Sequence, residues 1–491
     1  MQCFAPVEET YSTFGLFCGI GGGLIGMNQS GFSFTANQRT YQTRLECIGG
    51  IDNVPACIKD FDRFTGVRGT VMDLFSYEQY CDWHGHPPPR GWREATPTDI
   101  QRAAGWKSPD VVFSSPPCKG FSGLMGAKKA LAAKYQALNG LTLRGIMLAL
   151  EAFKDDLPSF FIMENVPRIS SRGSHFLEQI KQLLFSHGYA VSIANHDCGL
   201  IGGMSTSRKR MLLIARNTNK VPAFLYEPAQ RPLRSIGDLF ERLPLPGDPR
   251  AGAMHVLPNL SRTTSLRLAM VQASSDWRSL NRLSVENGVL TDYALAPRQS
   301  GLANEYEVVR KSSRQNIPDS WCDIPDPRMF GGTKRKAYQT GGHYGVRAWH
   351  DTAGAVTSSG KYDSGPWSIA DPRLAGRINP GTDQIVTPTG DVHRPMTLYE
   401  LAALQNLFDP EQGLQFELSG SSQSEWREAI GNAVPPISGE VIGNEIARSL
   451  CMSRRGITFE LRDTPIWVRP VAASIALDTT AHDQMMYQGS C

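Results

Sequence analysis

The chain contains no apolar run approaching the roughly 20 residues needed to cross a bilayer, which argues against a membrane-spanning helix. Its ten cysteines are scattered, without a C-x-x-C pair, so neither a zinc site nor a disulfide framework is indicated and no metal is expected. The opening stretch MQCFAPVEETYS is acidic where a secretory signal would be basic, and it has no apolar segment behind it. A reducing, cytoplasmic setting with free thiols is therefore expected. Charge of one sign is also scarce. Lys and Arg number 50 against 47 Asp and Glu, a net +3, which hints only mildly at an anionic partner. No internal repeat is found. What is present is ordinary for a globular protein: 491 residues, 41% hydrophobic and 20% charged. That length suffices for two domains, or one with insertions, around a sizeable core.

Short apolar runs alternate with helix-like stretches through the first half. YSTFGLF (11–17) breaks into CGIGGGLIGM, and LECIGGID ends in Asp52 before the helix-like PACIKDF. GVRGTVMD closes on Asp73. PDVVFSS (109–115), FFIMENV (160–166) and RMLLIAR (210–216) read as further strands, with SHFLEQIKQLLFSHG (174–188) as a helix between them. Residues 82–100, rich in Pro, Gly and charge, read as an inserted loop. This alternation predicts a parallel α/β sheet covered on both faces, with ligands beyond the carboxyl ends of its strands.

Candidate functional residues fall at those ends. Gly21, Gly23 and Gly26 spell G-x-G-x-x-G after a strand, a weak sign of a nucleotide site and equally compatible with a tight turn. Asp52, ending the second strand, could bind ribose hydroxyls of either NAD or S-adenosylmethionine. In FSSPPCKGFSG (113–123) a strand ends in two prolines, and Cys118 follows them. A thiol presented there has the setting of a nucleophile. Glu164 closes an apolar run, where partial burial would raise its pKa and let it carry a proton; a buried acid with a structural partner is the plain alternative. TSRKR (206–210) sets Arg208 and Arg210 on one side of a strand start, able to grip an anion or a carbonyl.

From Asn217 to His393 the periodicity is poor, with 21 basic against 17 acidic residues. GGTKRKAYQTGG (331–342) is the centre of its basic character, a solvated loop on the plain reading. Regular structure resumes at TLYELAALQNL (397–407), where Thr397 and Glu400 fit a capping box. GNAVPP (431–436) then leads into ISGEVIGNEIARSL, whose Ile437, Val441, Ile442 and Ile446 suit one helical face.

Taken in order, these motifs resemble the DNA (cytosine-5) methyltransferases. FGLFCGIGGG is similar to that family's first motif, SSPPCKGFS to its prolyl-cysteinyl motif, MENV to its glutamate motif and SRKR to its paired-arginine motif. RPMTLYELAALQ (394–405) fits Arg-x-x-Thr-x-x-Glu-x-x-x-x-Gln, and GNAVPP fits the last motif. The resemblance implies a Rossmann-like methyltransferase sheet with a smaller, irregular target-recognition domain inserted in it. The expected division is a catalytic domain at 1–216 and 394–451, target recognition at 217–393, and a tail at 452–491 of unassigned role.

The chemistry implied is methyl transfer from S-adenosylmethionine to carbon 5 of a cytosine flipped out of duplex DNA. Cys118 would add to carbon 6, Glu164 would bond N3 and the exocyclic amine, and Arg208 with Arg210 would orient the site. Phe17, Gly19, Gly21, Asp52, Asp73, Leu74, Pro117, Asn432 and Val434 would form the cofactor pocket, with Asp73 and Leu74 at the adenine. Lys119, Lys334, Arg335 and Lys336 would meet DNA phosphates. The expected partners are double-stranded DNA and a cognate restriction endonuclease, with the enzyme a monomer, free of membranes and associated with the nucleoid of a prokaryote or of a phage-infected cell.

Two positions depart from the family pattern: Thr206 stands where Gln is frequent, and Lys119 follows the cysteine in place of Gln. An RNA cytosine methyltransferase would share the fold, but 217–393 is more than a compact RNA enzyme needs. A catalytically dead DNA-binding relative is at odds with the intact Cys118, Glu164 and arginines. An NAD oxidoreductase leaves PPC, ENV and GNAVPP unexplained.

Overall fold

A computed structural model describes residues 5–36, 38–117, 133–221, 225–260, 264–265, 268–269, 271–276, 284–286, 289–291, 343–374, 391–411, 416–458 and 460–468. The chain divides into two compact units. The first takes the described residues of Met1–Gly202, Lys209–Arg231 and Ala433–Cys491; the second takes those of Gly203–Arg208 and Pro232–Asn432.

The first unit is built on β1 (Val7–Leu16), β2 (Gly31–Ala36), β3 (Arg39–Asp52), β4 (Thr70–Val71), β5 (Val111–Ser114), β6 (Phe160–Asn165), β7 (Tyr189–Asp197) and β8 (Lys209–Asn217). They lie in the order β2-β3-β1-β5-β6-β8-β7, with β4 beside β3. β1 pairs in parallel with both β3 and β5, Leu16 facing Ile51 on one side and Ser114 on the other. The winding therefore reverses at β1, the place where such sheets open a ligand crevice. β5 and β6 are also parallel, with Ser114 opposite Met163. The carboxyl ends that carry Phe17, Asp52, Ser115 and Glu164 thus share one edge.

The sheet is mixed rather than wholly parallel. β8 runs antiparallel to both β6 and β7; the connection from β7 holds a helix of only 5 residues, Cys198–Gly202, too short for the crossover that parallel neighbours require. β2 also folds back antiparallel on β3. Alternate residues of β6 divide between two cores: Phe161 and Met163 on one face, Phe160 and Ile162 on the other. Helices Ala133–Ala152 and Ser174–Ser186 cover the first face through Ile146, Leu150, Leu177 and Ile180. Helix α1 (Gly22–Gln29) and the helix Pro436–Ser453 cover the second through Leu24, Met27, Ile442 and Ile446. This doubly covered sheet is the architecture expected.

Two helices bracket the segment expected to be an inserted loop: α3 (Tyr77–His84) and α4 (Pro97–Ala103), after α2 (Pro55–Thr65). Each opens with a capping box, Ser76 with Gln79 and Thr96 with Asp99, so part of 82–100 is helical by its own local chemistry.

In the second unit β9 (Ser275–Asp276), β12 (His343–Arg347), β13 (Ser364–Asp371) and β14 (Val392–Pro395) form a sheet in the order β14-β13-β12-β9. A separate ladder joins β10 (Ser284–Glu286) to β11 (Val289–Thr291). The compact units divide elsewhere than at 394, with the described residues of 394–432 in the second. β14 pairs with β13, and Arg394, 1% exposed, sits between the fully buried Asp371 and Glu400. Its Nη2 donates to Asp371 Oδ2 at 2.6 Å and to Glu400 Oε1 at 2.5 Å. Burial pushes both acids up, but the guanidiniums beside them, Arg373 and Arg394 at Asp371 and Arg394 at Glu400, outweigh it and hold them below the ordinary carboxylate range. Such a cluster cannot be divided between domains without exposing unpaired charge, so 394–432 belongs to the second unit. The stretch at 452–468, expected to be a tail, is part of the first unit: Trp467 and Val468 are buried in one core with Leu212 and Ile214 of β8.

Candidate active site

The crevice at the end of β1 begins with strain. Phe17 has φ 53°, a left-handed conformation that side chains seldom adopt. It is held there by Ser115, whose hydroxyl donates to Phe17 O at 2.9 Å. Gly145, in the helix Ala133–Ala152, lies so close that a Cβ on it would stand 2.8 Å from the Phe17 ring. The turn that follows carries Gly19, with φ 52° and open space where a Cβ would project. Its N–H donates to Asp52 Oδ2 at 2.9 Å, and Val54 N–H donates to Asp52 Oδ1 at 2.9 Å. Burial lifts the Asp52 carboxyl above its ordinary pKa against these hydrogen bonds. An acid with bonding capacity left over beside a glycine facing free space suits a ribose diol, so the residues fit the nucleoside end of S-adenosylmethionine. Gly21 caps the start of α1, also in the left-handed region. Cys18, in the same turn, is buried, and burial pushes its thiol well above the ordinary range.

After β4 the carboxylate of Asp73 accepts from Phe75 N–H at 2.9 Å and from Trp92 Nε1 at 3.2 Å. Leu74 is buried, 3% exposed, in the core that Phe17 packs against. GNAVPP returns to the first motif through Val434: a Cβ on Gly22 would stand 2.1 Å from Val434 O. One turn along, a Cβ on Gly26 would stand 1.8 Å from Pro436 O. Backbone contact this close admits only glycine. Asn432, by contrast, ends the helix Gln423–Asn432 of the second unit and is exposed.

Glu164 is 7% exposed at the end of β6. Arg210 Nε lies 2.6 Å from its Oε1, but the N–H is directed off that oxygen, so among the described residues Oε1 receives no hydrogen bond. A buried acceptor left in this state is costly and uncommon. Next to it, Asn165 Nδ2 reaches Pro116 O at 3.4 Å and its Oδ1 accepts from Val166 N–H at 2.8 Å. The ENV motif thus touches the proline turn, in which Pro117 is half-buried. Cys118, Lys119, Lys334, Arg335 and Lys336 lie outside the described residues.

The paired arginines are given different partners. Arg208, 1% exposed, donates to Val356 O at 2.9 Å and to Gly431 O at 3.1 Å within the second unit. Thr206 there donates to Gly354 O at 2.7 Å. Arg210, in the first unit, lies against Glu164. Asn165, Ser115 and Trp92 are contacts that sequence reasoning missed. Asn165 could have been found from its place in the ENV motif; a hydroxyl and an indole in irregular segments left no periodic signal.

The sequence model of the C-5 cytosine-specific DNA methylase family matches residues 92–448. A DNA (cytosine-5)-methyltransferase 4 of Arabidopsis thaliana is 23% identical over 497 residues, covering 91% of this chain and 29% of that protein. A DNA (cytosine-5)-methyltransferase 1B of Oryza sativa subsp. japonica is likewise 23% identical over 485 residues, with the same coverage of 91% and 29%. The chain therefore spans less than a third of the length of these relatives. A solved methyltransferase of Entamoeba histolytica matches 92% of this chain and 100% of its own, at 12% identity and a TM-score of 0.47. With the family model covering well over half of its length, this chain belongs to the C-5 cytosine-specific DNA methylases.

Proposed function

We propose that this protein is a DNA cytosine-5 methyltransferase that works through a covalent adduct between Cys118 and carbon 6 of an extruded cytosine. The observation that carries the reading is the buried Glu164, its Oε1 without a hydrogen bond, one residue from the Asn165 that contacts the Pro116–Pro117 turn. S-adenosylmethionine, the methyl donor of this family, supplies an electrophilic methyl group when bound.

The remaining work falls to the chain. Phe17, Gly19 and Asp52 would hold the nucleoside, with Asp73 and Leu74 at the adenine and Val434 closing the first motif. The Cys118 thiolate would form a bond to carbon 6, moving electron density to carbon 5, which is otherwise a poor nucleophile. Glu164 would hydrogen-bond N3 and the exocyclic amine as charge develops there. Glu164 would be protonated when the base is bound, donating to N3 and accepting from the exocyclic amine, while Arg210 would steer its side chain. Arg208, spent on backbone carbonyls, would hold the motif in place without touching the base. Loss of the carbon 5 proton and cleavage of the S–C6 bond would restore the ring and the free thiol. This chemistry requires the base to leave the stack. The DNA sequence would be read within 217–393, with Lys119, Lys334, Arg335 and Lys336 on phosphates, which position a duplex without choosing its sequence.

Duplex DNA carrying 5-fluorocytosine at the target should trap the wild type, with cofactor present, in a complex that survives denaturant. Cys118→Ala should not trap, and an equal yield from that variant refutes the adduct. Trapping by a 5-fluorocytosine RNA but not by the duplex would move the substrate to RNA.

A further inference from the structure

The segment between α3 and α4 has no place in the chemistry above, yet it is firmly built. Glu94 Oε1 accepts from Tyr77 N–H at 2.8 Å, and its Oε2 accepts from Arg144 Nη2 at 2.7 Å. Arg144 also donates from Nε to Leu74 O at 3.0 Å and from Nη2 to Ala95 O at 3.3 Å. One arginine thereby fixes the segment to the residue following Asp73. Trp92, between these anchors, packs its ring 5.1 Å from Tyr80 and points Nε1–H at Asp73 Oδ2, 3.2 Å away. Phe75 N–H holds the other oxygen. Both carboxylate oxygens are thus pinned in direction, each keeping a lone pair to spare. Asp73 and Trp92 together line a cleft of about 320 Å³, with Val71, Met72, Arg93 and Asp99 around them.

We infer that Trp92 is a positioning residue for cofactor recognition: it orients Asp73 to accept from the exocyclic amine of adenine, so that an aminopurine cofactor is favoured over an oxopurine one. The inference rests on the reading that places adenine at Asp73. A carboxylate held in one plane meets an amino donor well. It meets the carbonyl of hypoxanthine acceptor to acceptor, and an unpaired buried acceptor weakens binding more than a made bond strengthens it. Without the indole N–H, Asp73 could turn about its side-chain torsions and lose that distinction.

The test is calorimetric titration of the full chain with S-adenosylhomocysteine and with S-inosylhomocysteine. The wild type should prefer the adenosyl compound. Trp92→Phe, which keeps an aromatic wall and removes the N–H, should lose about 3–10-fold in adenosyl affinity, the size of one hydrogen bond, and change little towards the inosyl compound. Added to Asp73→Ala, it should have no further effect. Trp92→His returns a ring N–H, recovers part of the preference, and serves if the Phe variant does not fold. Equal weakening of both compounds by Trp92→Phe, or none of either, overturns the inference. If Asp73→Ala leaves both affinities at the wild-type level, adenine is not at Asp73 and the reading beneath the inference fails instead.

Discussion

Glu164→Gln separates what the Glu164–Arg210 contact does for stability from what it does for catalysis. The substitution keeps the shape of the side chain and removes its charge. In the folded protein Arg210 Nε lies 2.6 Å from Oε1, and the two side chains are only 12% and 9% exposed. Taking away one member of a buried ion pair costs about 3–5 kcal/mol, because the other is left as an uncompensated charge. Arg210 keeps one bond, from Nη1 to Lys209 O at 2.8 Å, and slight access to water, so the lower end of that range applies. A loss near 3 kcal/mol should lower the calorimetric transition of the first unit by roughly 6–12 °C. Turnover should fall separately, by about 10²–10⁴-fold, as general-acid assistance is lost. Arg210→Met should destabilise as well. In the double variant the two losses should fail to add, leaving a coupling of about 1–3 kcal/mol. A cycle with no coupling, or a Glu164→Gln protein melting within a degree of the wild type, would refute the closed pair.

Three further outcomes follow from particular contacts. Arg394→Met should cost about 3 kcal/mol in urea unfolding, the lower end of the range for breaking a buried ion pair, because Arg373 still pairs with Asp371 at 2.9 Å while the fully buried Glu400 keeps that guanidinium only at 3.8 Å. In the wild type these acids are held low, so their contribution is lost only as pH falls through the depressed values. In the variant their values rise and the deficit should shrink on acidification. Burial raises Asp52, and its charged form accepts from a ribose diol. S-adenosylhomocysteine affinity should therefore fall as pH drops through that raised value, and Asp52→Asn should flatten the profile. Gly26→Ala would force a Cβ to 1.8 Å from Pro436 O and 2.6 Å from Glu440 N. Because both neighbours are backbone, thermal unfolding should show a loss at or above the usual 1–3 kcal/mol of overpacking.

The doubly covered sheet was legible because β5 and β6 are continuous apolar runs and the helix Ser174–Ser186 is amphipathic, burying Leu177, Ile180 and Leu184. Asp52, Asp73 and Glu164 could be placed from their positions at the ends of such runs. The β2–β3 hairpin was not legible. Its Gly31–Ala36 strand alternates between exposed and half-exposed residues, so no buried face imposes a period of two. The direction of β8 was equally hidden, since a strand's own residues do not state which way it runs. Arg208 and Arg210 are two residues apart, which suggests a shared face. That inference holds only within a strand, and β8 starts at Lys209, so Arg208 lies before the strand and bonds elsewhere.

The Arg-x-x-Thr-x-x-Glu-x-x-x-x-Gln pattern shows how far a motif can be explained without chemistry. Thr397 and Glu400 close a capping box at the start of the helix Leu398–Leu404. The same Glu400 takes both Nη groups of Arg394, so the spacing from Arg to Glu is fixed by one helical turn beyond a strand end. Gln405, fully buried, donates to Ile430 O at 3.0 Å, tying the far end of that helix to the residue before GNAVPP. Each member satisfies a buried polar group or charge within the second unit. These four residues account for their own spacing as a clamp within the second unit, whereas Phe17 keeps a left-handed backbone and Glu164, though beside Arg210 at 2.6 Å, keeps Oε1 without a hydrogen bond among the described residues. Backbone strain and an unmet buried acceptor are kept where a ligand makes use of them, and both lie at the carboxyl edge of one sheet.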